Sequence, residues 1–335
     1  MKKKPPDTGF LSLDHILIKK RLLRKLSLLE AVGLLVSILF LAAFAKFYTL
    51  GYEPVDYTNY VRSTRGDLTH FYYAVWFQPF LVPFGKLPPI HGYILFSLFG
   101  LAGTFFAARV FSGSSGFVLL TYQTVFNLFM GTYMGILLGG LALFWWGLVH
   151  KKWWAAGFGL VIAVAKPHTG IVLSLLLLLF AEISWKDRFR TLIVPAGVTL
   201  VSLLIDPRWP FELLERVQAA PPNIEGSVSL FAVTGFWTLL LLLPPLLLPL
   251  EREERFLSLL AAVPLVMPYF QQADLLGLFV FPYGPIILLG NLGFSKFISW
   301  EALRISMQAV SIFLYFFSLL KPLLAARKQT DHLPA

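Results

Sequence analysis

The run AVGLLVSILFLAAFAKFYTL, residues Ala31–Leu50, is the stretch that decides the fold. It is almost entirely apolar, and about 20 such residues are what a transmembrane α-helix needs to cross the hydrocarbon core of a bilayer. The polar segment GYEPVDYTNYVRSTRGDLTHFYYAVWFQPF, Gly51–Phe80, follows it directly. The sequence therefore predicts a first membrane-spanning helix that delivers a polar loop to one membrane surface.

Comparable apolar runs recur along the chain. Hydrophobic residues make up 57% of the 335 residues and charged residues only 14%, which is too little polar surface for a soluble globule of this size. We expect an all-α, polytopic transmembrane helical bundle of about 10–11 spans, because no run alternates in the manner of a barrel strand. The candidate spans are 31–50, 93–111, 117–130, 133–149, 155–165, 169–181, 192–205, 230–250, 256–267, 275–292 and 305–320.

Two of these runs, Ala155–Ala165 and Thr169–Ala181, are shorter than a straight span requires and are separated only by residues 166–168. They predict either two short helices that meet at a turn or one long kinked helix. Basic residues flank the pair at His150–Trp154 and Trp185–Arg190, and basic loops face the cytoplasm. This charge pattern favours two helices and an extracytoplasmic turn.

The net charge of +10 is also interpreted as topogenic, because the cations lie mainly between apolar runs. Residues 1–30 are predicted to be a cationic cytoplasmic segment, with residues Phe10–Leu29 either an amphipathic helix on an anionic leaflet or a plain flank. Residues 31–320 form the transmembrane domain, with an extracytoplasmic loop at 51–92, and 321–335 a polar tail. Alternation would leave this basic tail outside, which indicates an error in a predicted span near the end.

Under this topology, most polar side chains that could take part in catalysis or binding lie on the external face. Asp56 follows the first span closely, and its carboxylate could act as a general base or could cap a short helix. The aromatic and proline-rich segment Trp76–Pro88 predicts a re-entrant or interfacial element, or simple anchoring at the headgroups.

Lys166 is flanked by apolar sequence on both sides. A cation in that setting meets an anion such as a lipid-linked phosphate, or it snorkels to the interface. His168 could share the phosphate or serve only as a turn residue. Asp274 precedes an apolar run, so its default role is that of a helix cap.

The chain lacks several catalytic and metal-binding motifs, and their absence narrows the classes of function to consider. The chain has no cysteine, which excludes disulfides, thiolate metal sites and cysteine nucleophiles. It also lacks a Walker loop, an HExxH motif and a GxSxG elbow, which argues against ATP-driven pumps and zinc proteases. Sugar transfer from a preactivated lipid donor requires none of these.

An ordered set of short motifs resembles the C-type glycosyltransferase superfamily, and within it glycosyltransferase family 87. The set comprises VDYTNYVRSTRGDLTHFY from Val55, FQPFLVPFGKLPP from Phe77, the turn 131–134, Lys166 with Pro167, NIEGSVSLF from Asn223 and PYFQQADLLGLFVFP from Pro268. The turn 131–134 lacks the Gln and Asn of the family pattern. The resemblance implies a membrane hexosyltransferase, mannose being the family's default sugar, with a polyprenyl-phosphate donor and inversion at the anomeric carbon.

The resemblance also assigns roles to residues. It makes Asp56 the catalytic base, and it places the donor phosphate on Lys166 with Arg62, Arg65 and His168. The expected substrate-binding residues are Tyr60, His70, Gln78, Tyr133, Asn223, Gln271 and Asp274.

Neither a cofactor, a metal nor a nucleic acid is expected. The expected partners are the donor, membrane lipid and a glycan, glycolipid or protein acceptor. The expected location is a bacterial or archaeal plasma membrane, with an extracytoplasmic active site. Broken helices and a lone intramembrane cation leave two alternatives open, a transporter or lipid flippase and a noncatalytic scaffold.

Overall fold

The computed structural model describes residues 9–219 and 227–330, and all regular elements in these ranges are helical. The predicted all-α polytopic bundle is confirmed. The α-helices are α1 His15–Leu23, α2 Leu28–Thr49, α3 Val55–Ser63, α4 Gln78–Lys86, α5 Pro89–Val110, α6 Ser115–Leu119, α7 Tyr122–Met130, α8 Met134–Val149, α9 Trp153–Ala163, α10 Pro167–Phe180, α11 Trp185–Ile205, α12 Trp209–Ala219, α13 Phe231–Thr234, α14 Leu243–Leu247, α15 Arg252–Val266, α16 Leu276–Phe279 and α17 Trp300–Thr330. The 3-10 helices are Val75–Phe77, Gly235–Leu242, Gln272–Leu275 and Gly284–Phe297.

The helices differ widely in length. Within the described residues, α2, α5, α11 and the Trp300–Leu324 part of α17 are long and apolar enough to cross a membrane. The pair α7 and α8, bent by 113°, counts as a fifth if it is one broken span. Three further apolar helical segments are shorter, namely α9, α10 and Gly235–Leu247. Most of the predicted runs are therefore present as short or broken helices around the long ones.

Local sequence explains where α2 begins. Ser27 caps the helix and forms a reciprocal capping box with Glu30, so the helix begins at Leu28, ahead of the predicted Ala31. The preceding segment forms only the short helix α1, capped by Asp14. Phe10 and Leu11 are buried in the core, so this segment is docked onto the bundle.

Glycines let the central helices approach one another closely. A Cβ atom added at Gly103 of α5 would overlap the backbone of Gly135 in α8. Small residues at such contacts bring helix backbones together where lipid supplies no hydrophobic driving force between helices. Helix α8, which also packs against α9, is thereby held at the centre of the bundle.

One end of the bundle, called here the Asp56 end, gathers the segments that were predicted to be external. The backbone N–H of Tyr133, in the turn between α7 and α8, donates to the hydroxyl of Tyr60 in α3. The N–H of Ala74 donates to the carbonyl of Ala165, between α9 and α10, over 3.0 Å. The segment at 227–229 pairs with residues 270 and 271.

The opposite end, called here the Arg109 end, gathers the segments that were predicted to be cytoplasmic. Arg109, near the end of α5, pairs with Glu30 at the start of α2. Arg252, at the start of α15, donates to the carbonyl of Phe180, at the end of α10. The alternation of basic loops in the sequence therefore divided these loops into two groups, and each group lies at one end of the bundle.

The predicted span Leu275–Leu292 is wrong, because this stretch is a hairpin. It leaves the Asp56 end after Asp274 and reaches the Arg109 end by Pro282 and Gly284, which share a cavity with Arg109 there. Gly284 has φ 74°, a left-handed conformation that favours glycine. The 3-10 helix Gly284–Phe297 then returns, and Asn291 accepts a hydrogen bond from the backbone of α7.

This extra pass reverses the predicted direction of the last helix. In α17, Gln308 donates to the carbonyl of Ser229 and Tyr315 to that of Leu241. The chain from Ser229 leads on towards Pro245, whose carbonyl accepts from Arg255 at the Arg109 end. Helix α17 therefore runs towards the Arg109 end, which removes the conflict with the positive-inside rule. It also continues through the boundary predicted at residue 321.

Candidate active site

Asp56 lies in the first turn of α3 at the Asp56 end. Pro54 occupies the N-cap position, so the carboxylate is not the cap that the sequence left open. The side chain is half-buried, and within the described residues it makes neither a hydrogen bond nor an ion pair. Burial raises the pKa of Asp56 to about 6, while nearby Lys166 lowers it and nearby Asp274 raises it. Among the described residues, Asp56 is thus an unpaired carboxylate whose pKa lies close to neutral pH.

Tyrosines hold the segments around Asp56 together. The hydroxyls of Tyr60 and Tyr73 are 2.6 Å apart, and the hydroxyl of Tyr133 donates to the carbonyl of Ile162 at the end of α9 over 2.7 Å. Burial raises the pKa of Tyr60 and Tyr73, and the charge of Asp56 adds to the shift for each. Both phenols are therefore neutral groups that line the surroundings of the carboxylate.

Lys166 has a partner that the sequence did not predict. It lies between α9 and α10, is buried, and donates to Oδ1 of Asp274. His168 Nε2 lies 3.2 Å from Oδ2 of the same carboxylate. Burial alone would raise the pKa of Asp274, but Lys166 and His168 hold it well below its usual range. Asp274 therefore joins two cationic or protonatable side chains, instead of acting only as a helix cap.

Gln271 lies beside this cluster on the segment that carries Asp274. Its backbone forms an isolated bridge with Ser227, and its side-chain amide donates to the hydroxyl of Tyr269. The ring of Tyr269 lies 5.8 Å from that of His168, edge to face. The Gln271 segment is thus connected to both the loop before α13 and the start of α10.

The remaining predicted site residues are placed less centrally. Arg62 is exposed and lies 3.7 Å from Glu53, and Arg65 and His70 are also exposed. Gln78 is half-buried at the start of α4 and donates to the carbonyl of Ser63, so it supports α3. Asn223 lies outside the described residues.

Three residues at this end were not singled out from the sequence. One is Tyr73, whose hydroxyl bonds to that of Tyr60. Thr169 Oγ1 and Gln272 Oε1 are buried and, among the described residues, have no hydrogen-bond partner. Both follow or adjoin residues of the Lys166–Asp274 cluster, and a polar residue opening an apolar helix was the available signal for Thr169.

The described residues contain no group of three or more His, Asp or Glu side chains that could hold a metal ion.

A comparison with models of protein families finds a match. Residues 71–280 match the family model of glycosyltransferase family 87, and this range includes Tyr133, Lys166 and Asp274 but begins after Asp56. No curated protein and no solved structure matches the chain. The matched range covers more than half of the 335 residues. The chain belongs to glycosyltransferase family 87.

Proposed function

We propose that this glycosyltransferase transfers a hexose, mannose by family default, from a polyprenyl-phosphate donor to an acceptor hydroxyl at the Asp56 end. The observation that carries the proposal is the Asp56 carboxylate, which is half-buried, unpaired among the described residues and close enough to Lys166 for their charges to interact. Membership of the family favours this enzyme over the transporter and the scaffold.

In the proposed reaction, Asp56 takes the proton from the acceptor hydroxyl as its oxygen bonds to the anomeric carbon. The bond between that carbon and the phosphate oxygen breaks, polyprenyl phosphate leaves with the electron pair, and the anomeric configuration inverts. A base must be deprotonated before the reaction, and a pKa of about 6 leaves Asp56 mostly ionised at pH 7 while keeping it basic enough to accept the proton.

Positive charge near the leaving phosphate would stabilise the transition state. Lys166 uses one of its three ammonium donors on Asp274, so two donors remain for a phosphate oxygen. The Lys166–Asp274 pair has no net charge, however. The positive charge that stabilises the leaving phosphate must therefore come from His168 when protonated and from the exposed Arg62 and Arg65. We assign these four side chains to the donor phosphate.

The proposed sugar and acceptor contacts come from the other polar groups of this end. Asp274 is fully buried and already engaged, so it would act through Lys166 and His168 and not by touching substrate. The contacts assigned to substrate are Tyr60, His70, Gln78, Tyr133, Asn223 and Gln271. The proposal places this end on the extracytoplasmic side of a bacterial or archaeal plasma membrane, with a glycan, glycolipid or protein as acceptor.

The test compares two loop carboxylates by the same substitution. The purified chain in lipid nanodiscs is given polyprenyl-phosphate mannose and a panel of acceptors, and turnover is measured for Asp56→Asn and Asp67→Asn. Asp67 is an exposed residue of the same loop whose carboxylate accepts from the backbone N–H of Thr69. Loss of a general base costs about 10²–10⁴-fold in rate, whereas Asp67→Asn should retain activity within about twofold.

Equal turnover in the two variants and the unchanged protein would overturn the role of Asp56. If the unchanged protein transfers no hexose from the polyprenyl-phosphate donor to any acceptor, the donor assignment is wrong. The anomeric configuration of the product, read by NMR, tests inversion separately, and retention would exclude the single displacement.

A further inference from the structure

Helix α12, Trp209–Ala219, carries an apolar edge that the proposed sugar transfer does not use. Phe211, Leu214 and Val217 follow one another at intervals of three residues, and their side chains are 68%, 53% and 50% exposed. Residues three apart on a helix are neighbours on its surface. These three side chains therefore form one exposed apolar stripe, called here the α12 stripe.

The other sides of α12 face protein or carry charge. Trp209 is buried, and its ring packs edge to face against that of Trp76 with centroids 5.3 Å apart. Arg216 lies 3.7 Å from Glu212, one helical turn earlier, and Glu215 is exposed. An apolar stripe next to a charged face is the pattern of a helix that lies in the plane of a membrane surface.

The preceding helix brings α12 to such a surface. Helix α11 is long and apolar enough to cross a membrane, and 11% of its most apolar stretch is buried inside the bundle, so most of it is open to lipid. Its last residues, Leu204 and Ile205, are 76% and 80% exposed. The Asp206 carboxylate then accepts from the backbone N–H of Arg208 over 3.1 Å, in the turn that leads into α12. The α12 stripe thus continues the lipid-facing surface of α11 beyond the end of that helix.

Trp76 connects α12 with the candidate active site. Its indole N–H donates to the carbonyl of Val161 in α9 over 3.3 Å. Two residues earlier in the same segment, the N–H of Ala74 donates to the carbonyl of Ala165, which precedes Lys166. The position of α12 relative to a membrane therefore affects the position of the turn that carries Lys166.

We propose that α12 lies in the headgroup region of the bilayer at the Asp56 end. The α12 stripe contacts the acyl chains, while Glu212, Glu215 and Arg216 face water. The partner is the bilayer itself, and no particular headgroup is required, because the stripe is apolar and the charged face carries both signs. In this position α12 anchors the segment that carries Trp76 at the membrane surface. The proposal is independent of the proposed sugar transfer, because it involves neither donor nor acceptor.

The test uses single-cysteine variants, since the chain contains no cysteine of its own. Leu214→Cys and its matched control Glu215→Cys, adjacent in sequence and both exposed, are labelled with a fluorophore in the full chain and placed in phosphatidylcholine nanodiscs. Ile193→Cys, exposed near the middle of α11, is the reference for a position inside the bilayer. Quenching of each label is measured with phosphatidylcholine that carries a nitroxide either near the carbonyl end or near the methyl end of an acyl chain.

We expect lipid nitroxides to quench the label of Leu214→Cys about threefold more than that of Glu215→Cys, because interfacial helices bury their apolar face about 5–10 Å into the boundary between headgroups and acyl chains. For Leu214→Cys, the nitroxide near the carbonyl end should be the stronger quencher. For Ile193→Cys, the nitroxide near the methyl end should be the stronger one.

Equal quenching of Leu214→Cys and Glu215→Cys, or quenching of neither, would overturn the proposal. A Leu214→Cys label that is protected both from lipid nitroxides and from a water-soluble quencher would assign the stripe to a protein partner or a second copy of the chain. An Ile193→Cys label that lipid nitroxides do not quench would remove the membrane-spanning helix on which the proposal depends. If Leu214→Cys does not fold, Val217→Cys on the same stripe takes its place.

Discussion

The two ends of the bundle use carboxylates in different ways. At the Arg109 end, Glu30 accepts hydrogen bonds from the backbone of Ser27 and from Arg24, Arg109 and Ser115, so its acceptor sites are filled. At the Asp56 end, Asp274 is satisfied by Lys166 and His168, while Asp56 has no such partner among the described residues.

The difference teaches which carboxylates are structural. A buried charge is tolerated when its neighbours are already in place, and such a group has little capacity left for a ligand. Glu30 and Asp274 both fit that description. Asp56 does not, and an ionisable group whose burial is not compensated is the kind that active sites contain.

The largest effect on stability is expected for Arg109→Met. This change leaves Glu30 buried with only the half-exposed Arg24 as its cationic partner, and breaking a buried pair typically costs about 3–5 kcal/mol of unfolding free energy. Arg190→Met is the control, because its pair with Asp187 is more exposed and should be worth about 0–1 kcal/mol. Chemical denaturation in micelles measures both. Similar losses would remove the distinction between a filled buried site and a surface pair.

Asp274→Asn should have the next largest effect. The amide still offers an oxygen to Lys166, but the charge that compensates buried Lys166 and half-buried His168 is lost, so we expect a cost of about 2–3 kcal/mol. Glu212→Gln, in the surface pair with Arg216, should change the stability by less than about 1 kcal/mol. An unfolding free energy unchanged by Asp274→Asn would show that the Lys166 cluster is not a structural counterpart of Glu30.

The smallest effect concerns pH. Because the raised pKa of Asp56 is about 6, kcat/KM should be level above pH 7 and should fall about tenfold per pH unit well below 6, where the base is protonated. Asp274→Asn removes a negative charge that raises this pKa, so the inflection of the profile should move to lower pH. A profile that is flat across pH 6 in the unchanged protein, or an inflection that moves upward in the variant, would contradict the assignment.

The sequence predicted the helical bundle and the end of the bundle at which each loop lies. Both depend on local features, namely the length of each apolar run and the basic residues that flank it. Ala31–Leu50 corresponds to α2, and the pair of short helices around residue 166 meets at a turn. For Lys166 the sequence left open a meeting with an anion or snorkelling to the interface, and its partner Asp274 lies 108 residues away, so no local pattern joins them. The same holds for Arg109 and Glu30, which are 79 residues apart.

The hairpin at Gly284 was not predicted from the sequence, for a different reason. Residues 275–292 form an apolar run with the length of one span, and a continuous run does not reveal where it reverses. The first limb contains only the short helices Gln272–Leu275 and α16. Proline at 282 and glycine at 284 were the available turn signal.

The hairpin has a consequence for membrane insertion. Its first limb is too short to enter a bilayer as an independent helix, so it must be integrated together with its returning limb or against helices that are already in place. Phe281 stacks on Phe111 at the end of α5 with ring centroids 4.7 Å apart, which offers such a docking point. We therefore expect insertion of this region to depend on earlier helices having assembled, and a residue with a Cβ at Gly284 should strain the turn on which the returning limb depends.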